Sequence, residues 1–258
     1  MSPIRGVAID LFNTLVHIDP TRYPTVTWEG RPRLSSAPIL LEIFRSWDLN
    51  VEPARYIAAS IEVQDEMEKE RRIEHREIPS LERFRRTLER VGIDPETDGG
   101  RLLRILQRTH IDSLVDAARL PVRSLLVLAM LAARHPVVLV SNFDDGAACR
   151  RLLERRGIAS YLSGIVISEE IGLRKPDRTL FERAAALAGC ACEEMLFVGD
   201  SPVDDIEGAR AVGMKPVWIR GEAPPPPNWR APEPTLDHLA DLLDLGLGEE
   251  GSLDAIAT

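Results

Sequence analysis

Short apolar runs recur along this chain, and the first of them closes on an acid. The first is Arg5-Gly6-Val7-Ala8-Ile9-Asp10, and Pro136–Val140, Gly164–Ser168, Met195–Gly199 and Lys215–Ile219 follow it. Such a run, with no polar residue alternating through it, predicts a strand buried on both faces of a parallel sheet. Helical periodicity separates the later runs, at Ala147–Arg156, Thr179–Ala188 and Asp205–Val212. Strand alternating with helix implies right-handed crossovers and a sheet covered on both sides. The expected fold class is therefore α/β, a doubly wound parallel sheet.

Between about Leu34 and Leu120 the pattern changes. Amphipathic helical segments succeed one another without a clear strand: Ile39–Trp47, Pro53–Arg71, Ser80–Val91, which stops at Gly92, and Arg101–Ala117. The expected organisation is a core from residues 1–16 and 121–245, its sheet resuming near Val122, with an inserted helical unit at 17–120. A short hairpin is expected near residues 23–33, around Glu29-Gly30. The mixed Glu/Arg run from Glu66 to Arg76 reads as a solvated helix face. Pro224–Pro227 predicts a stiff connector, Leu236–Leu243 a last helix, and residues 246–258 a frayed tail. Gly246, Gly248 and Gly251 match a dinucleotide fingerprint in form only, because no strand leads into them.

Composition narrows the function. A net charge of −9 argues against a nucleic-acid or anionic-membrane partner, since both reward clustered Lys and Arg. Three cysteines, Cys149, Cys190 and Cys192, make neither a disulfide framework nor a zinc site, and are expected as reduced, mostly buried thiols. No signal-like N-terminus and no membrane-length apolar run are evident, so a cytoplasmic protein is expected.

Open parallel sheets bind ligands at the carboxyl ends of their strands. The polar residues predicted there are Asp10, Ser141-Asn142 and Asp200, with Lys175 just after the third strand. Two carboxylates, a hydroxyl and a lysine form a coherent set. Asp10 and Asp200 can hold a hard divalent cation through oxygen, and Ser141 and Lys175 can bind phosphoryl oxygens. A carboxylate nucleophile splits hydrolysis into two steps through an aspartyl-phosphate.

With these residues in place the chain resembles the haloacid dehalogenase superfamily, whose members are mostly phosphatases. Four stretches carry the resemblance: Ile9-Asp10-Leu11-Phe12-Asn13-Thr14-Leu15, Val140-Ser141-Asn142, Gly172-Leu173-Arg174-Lys175-Pro176-Asp177, and Gly199-Asp200-Ser201-Pro202-Val203-Asp204-Asp205 running on to Gly208-Ala209 and Gly213-Met214. The resemblance implies a Rossmann-like core with an inserted helical cap domain, and a magnesium ion (Mg2+) as cofactor. It implies Asp10 as nucleophile and metal ligand, with Asp200 and the backbone carbonyl of Phe12 as further ligands. Ser141 and Lys175 would contact the phosphate, and Thr14 and Asn142 would bind substrate or shape its loops. Asp205 and Asp204 would support Lys175 or the metal's waters. The implied partner is a small phosphorylated metabolite.

One departure matters. Where phosphatases of the family carry a second Asp, the general acid and base, this chain has Phe12. A phenyl ring moves no proton, so either the leaving group is good enough to depart alone or another group, such as His17, supplies the proton. The haloacid dehalogenases of the superfamily carry Tyr at this position and need no metal, which makes a metal-independent 2-haloacid dehalogenase the rival reading, with Asp200 standing against it. A third reading is a catalytically weak binding or regulatory protein on the same scaffold. Substrate identity and oligomeric state leave no mark in the sequence.

Overall fold

The computed structural model describes residues 3–221 and 225–243. The expected tail at 246–258, its glycine pattern and Pro224 of the connector lie outside the described residues. The chain divides into two compact units, residues 1–17 with 119–258, and residues 18–118.

The first unit opens with β1 (Gly6–Ile9), buried at every position. The chain leaves through β2 (His17–Ile18). In the second unit β3 (Thr25–Trp28) and β4 (Arg31–Leu34) pair antiparallel, with Glu29 and Gly30 both at positive φ in the tight turn between them. Four helices follow: α1 (Ala37–Ser46), α2 (Pro53–Glu74), α3 (Ser80–Val91) and α4 (Thr97–Ala117). Pro53 opens α2 where no hydrogen bond is lost, and the Glu52 carboxylate caps it by accepting from the N–H groups of Ala54 and Arg55. Gly92, at φ 85°, closes α3 in a left-handed turn. Residues 98–100 are left-handed, so the regular part of α4 starts at Arg101. Leu40, Phe44, Tyr56, Leu88, Leu102 and Leu106 form the buried centre of this unit.

The chain returns through β5 (Ala118–Arg119) to the first unit. Val122 does not resume a strand; it opens helix α5 (Val122–Ala132), and the next strand is β6 (Val137–Ser141). The run of Leu, Val, Ala and Met at 125–132 is longer than a strand and has no alternation, and at that length a helix buries it. Then come α6 (Gly146–Arg155), β7 (Gly164–Ile167), the single turn α7 (Ser168–Ile171), α8 (Arg178–Ala188) and β8 (Met195–Gly199). The helix expected at Asp205–Val212 begins earlier, as a wide π turn at Pro202–Glu207, and narrows into α9 (Gly208–Ala211). The strand β9 (Lys215–Ile219) follows. Leu236 starts no helix: Thr235–Leu236 is β10, pairing parallel with β9, and a short 3-10 turn follows at Leu239–Leu243. The open edge of β9 takes up the backbone groups that a helix would otherwise satisfy internally.

Six parallel strands make the sheet, in the order β10-β9-β8-β1-β6-β7. From β1 the chain winds outward through β6 and β7, then crosses back to β8 on the other side of β1. The strand order reverses at β1, and a ligand crevice opens at the carboxyl ends beside such a reversal. Ala8, Val138, Val140 and Phe197 pack on one face with Leu180, Phe181 and Ala184 of α8. Their neighbours Val7, Ile9, Leu139 and Val198 are equally buried, so both faces are covered. Among the described residues no helix is long and apolar enough to cross a membrane. Cys149 is buried, Cys190 and Cys192 are half-buried, and all three are free thiols.

Candidate active site

Asp10 follows the last residue of β1, its N–H donating to the Val198 carbonyl at 2.9 Å. The loop beyond it is tight: the N–H groups of Leu15 and Val16 donate to the Leu11 carbonyl, and that of Asn13 to Val16. These bonds leave the Phe12 carbonyl out. Asn13 sits at φ 61°, a left-handed conformation that Asn tolerates better than most residues. Its side-chain amide donates to Asp200 Oδ2 at 3.3 Å. Asp200 follows β8, and its backbone carbonyl accepts from Trp218 Nε1 at 2.8 Å.

Lys175 is 2% exposed. Its Nζ donates to Asp10 Oδ1 at 2.6 Å and to the Val140 carbonyl at 2.8 Å, and lies 2.7 Å from Asp205 Oδ1. An ammonium taken so far out of water is tolerable only with such partners. The loop that delivers it is held by Asn142, whose Oδ1 accepts from the Lys175 N–H at 2.8 Å while its Nδ2 donates to the Lys175 carbonyl at 3.1 Å. Both polar atoms of Asn142 therefore hold the Lys175 backbone, which fixes the lysine loop. Asp205 is anchored in turn by the Ser201 N–H at 2.9 Å. Gly199 permits that approach, because a Cβ there would lie 2.4 Å from Asp205 Oδ2.

Asp10, Asp200 and Asp205 each offer a carboxylate oxygen within 4.8 Å of the others. Asp205, not Asp204, joins the trio; the Asp204 N–H donates to Ser201 Oγ. Burial pushes the Asp10 carboxyl above its ordinary range, against the pull of Lys175, and Asp205 and Asp200 push the same way. Asp200 is raised by burial and by Asp205. Lys175 is raised by Asp10 and Asp205, which outweigh its own burial. Three carboxylates against one ammonium leave excess negative charge on hard oxygen donors, the donor set that a hard divalent cation such as magnesium fits.

The remaining predicted residues fall around this centre. Ser141 ends β6, 1% exposed. Thr14 is equally buried, and its Oγ1 has no hydrogen-bond partner among the described residues. Phe12 stacks on Phe143, ring centroids 5.5 Å apart and planes 12° from parallel. Ser168 Oγ pins Phe143 by accepting from its N–H at 2.9 Å. His17 is exposed in β2, and its charged neighbour is His238, not the carboxylates. Sequence reasoning missed Asn13, Trp218 and the Val140 carbonyl as supports. Only Asn13 carried a signal, as a polar residue inside the first motif.

The family of haloacid dehalogenase-like hydrolases matches residues 4–213. A stretch of 80 residues is 42% identical to the phosphoserine phosphatase of Thermus thermophilus, covering 31% of this chain and 32% of that one. Another, of 97 residues, is 38% identical to the glyceraldehyde 3-phosphate phosphatase of Methanopyrus kandleri, covering 36% and 42%. The chain thus spans less than half the length of these curated relatives. In fold it is similar to the 2-haloacid dehalogenase of Pseudomonas syringae pv. tomato, with a TM-score of 0.68 at 21% identity, covering 93% of this chain and 97% of that one. A match over most of its length, together with the motifs converging at the sheet edge, places this chain in the haloacid dehalogenase-like hydrolase family.

Proposed function

We propose that this hydrolase is a phosphatase acting on a small phosphorylated metabolite, with magnesium as cofactor and Asp10 as nucleophile. The observation that carries the reading is Lys175 bridging Asp10 and Asp205 while three carboxylates converge within 4.8 Å. Asp10, Asp200 and the Phe12 carbonyl would hold the magnesium ion, which when bound supplies charge neutralisation between carboxylates and phosphate. Ser141 and Lys175 bind the phosphoryl oxygens, and Asp205 holds Lys175 charged and in place.

An Asp10 oxygen attacks phosphorus, the bond to the leaving oxygen breaks, and an aspartyl-phosphate forms. Water then attacks the same phosphorus, releasing phosphate and restoring the carboxylate. Each step has a proton to move, and Phe12, stacked on Phe143, can move none. General acid–base help is worth about 10²–10⁴-fold, roughly 3–5 kcal/mol of barrier. Aryl and acyl phosphates, whose leaving groups depart without a proton, are therefore the favoured substrates. The phosphatase names of the relatives support phosphate-ester hydrolysis as the reaction class.

The aromatic residue at Phe12 favours a second reading, a metal-independent 2-haloacid dehalogenase, in which halide leaves unprotonated. Asp200 counts against it, because a metal-binding acid has no task there. The test is phosphate release from an aryl phosphate with and without magnesium, beside halide release from a 2-haloacid in EDTA. Expected is magnesium-dependent phosphate release that falls at least ~10³-fold in Asp10→Asn. Halide release in EDTA, with no phosphate release, would transfer the assignment to the second reading.

A further inference from the structure

Helix α3 carries four arginines. Arg85, Arg86 and Arg90 all pair with glutamates: Arg85 with Glu82 and Glu89, Arg86 with Glu82 and Glu70, Arg90 with Glu62 and Glu66. Arg83 forms no ion pair among the described residues, and its Nη2, shielded from solvent, has no hydrogen-bond acceptor among them. Its guanidinium lies 4.9 Å from the Phe84 ring centre, and its charge acts on Tyr23, Tyr56 and His110. Tyr23 and Ser36 turn their hydroxyls to the same His110 nitrogen, Nδ1, at 3.2 and 2.7 Å, and the His110 ring packs 5.4 Å from Phe84. Burial keeps that imidazole neutral.

A guanidinium with a shielded, unsatisfied N–H group is costly, because water has been removed and no acceptor has replaced it. The face of an aromatic ring attracts the cation without accepting those protons. Arginine's planar fork matches the oxygens of carboxylate and phosphate, and the neighbouring hydroxyls add donors to a bound oxyanion. Among the described residues no carboxylate pairs with Arg83. We propose that Arg83, with Tyr23 and Ser36, forms an oxyanion-binding site inside the unit of residues 18–118, taking the carboxylate or phosphate group of a small molecule. The proposal does not rest on the phosphatase reading, since every residue it uses lies outside the Asp10 centre.

The test uses the full chain in EDTA, so that the metal-free carboxylate trio repels anions. Malonate and inorganic phosphate are titrated separately, following the melting temperature and the Arg83 side-chain N–H resonance of protein labelled with 15N-arginine. That resonance is assigned by its disappearance in Arg83→Lys. Expected are a saturable shift of the Arg83 signal with at least one anion and a rise in Tm of about 3–6 °C at about tenfold above Kd. The Tm rise should vanish in Arg83→Leu and shrink in Tyr23→Phe, which keeps the ring. Response to malonate alone identifies a carboxylate ligand, and response to phosphate alone a phosphoryl one. An Arg83 signal that moves with neither anion overturns the proposal and leaves water as the acceptor. So does a Tm rise that survives in Arg83→Leu. Should Arg83→Leu not fold, the resonance titration and Tyr23→Phe decide.

Discussion

Two residues after Asp10 the ring of Phe12 stacks on Phe143, and in the proposed phosphatase reading it replaces the proton donor. Phe12→Asp is expected to raise turnover on alkyl phosphates by about 10²-fold or more, and on aryl phosphates by much less. Paired rate measurements check this, and equal changes on both substrate types would remove proton transfer as the limitation. Asn13 reaches Asp200 from a left-handed position, so the clean probe is Asn13→Gly, which keeps that conformation and deletes the amide. A magnesium titration of activity should show the half-saturating concentration raised about tenfold, as for other supports of metal ligands. At Gly199 a methyl group would meet Asp205 Oδ2 at 2.4 Å. Gly199→Ala should cost about 1–3 kcal/mol in urea unfolding, as overpacking does, and should displace the carboxylate that holds Lys175.

Between elements, the weight of a charge pair depends on burial. Glu66–Arg90 and Glu70–Arg86 link α2 to α3 on an open face, where such pairs are worth about 0–1 kcal/mol. Glu77 and Arg71 are different: they meet at 3.0 Å with side chains only 2% and 12% exposed, and Arg71 also donates to the Ile78 carbonyl at 2.6 Å. Glu77→Gln is therefore expected to cost about 3 kcal/mol, against less than about 0.5 for Glu66→Gln. Chemical denaturation of the two variants side by side measures the contrast. His110 ties α4 to Ser36 ahead of α1, and burial, reinforced by the Arg83 charge, holds its pKa well below the ordinary 6.5. A base depressed in the folded state is protonated first when unfolded, so stability is full above pH 6.5 and falls as pH drops below it. The urea midpoint should drop between about pH 7.5 and about pH 5.5, and this drop should be smaller in His110→Gln.

On the scale of the whole chain, one unit is inserted into another. The inserted unit begins and ends at one place, since the Asp19 N–H donates to the Ala117 carbonyl at 3.0 Å. It also owns a buried centre around Phe44, Tyr56, Leu88 and Leu102. An excised fragment of residues 18–118 is expected to fold, giving helical circular dichroism and a cooperative thermal transition. A fragment without that transition would mean that the insertion depends on the rest of the chain.

Much of this was legible in the sequence because its signals are local. An uninterrupted run such as Gly6–Ile9 must be buried on both faces wherever it lies, Glu29-Gly30 between β-rich stretches must turn, and Gly92 must stop α3. The order of the four motifs and of the five main strands followed from such signals, and with it the family, whereas α5 and β10 did not. Convergence did not. Lys175 meets Asp10 across 165 residues, and only register and crossover handedness decide that its ammonium lies between Asp10 and Asp205 rather than beside Asp204. The same holds for Asn142 closing on the Lys175 backbone, for β10 completing the sheet, and for Arg83 left without the glutamate that each other arginine of α3 finds. Periodicity states which side of an element is apolar. Which charges then meet there is a property of the packed chain, where distance and desolvation, not spacing along the sequence, set the energy.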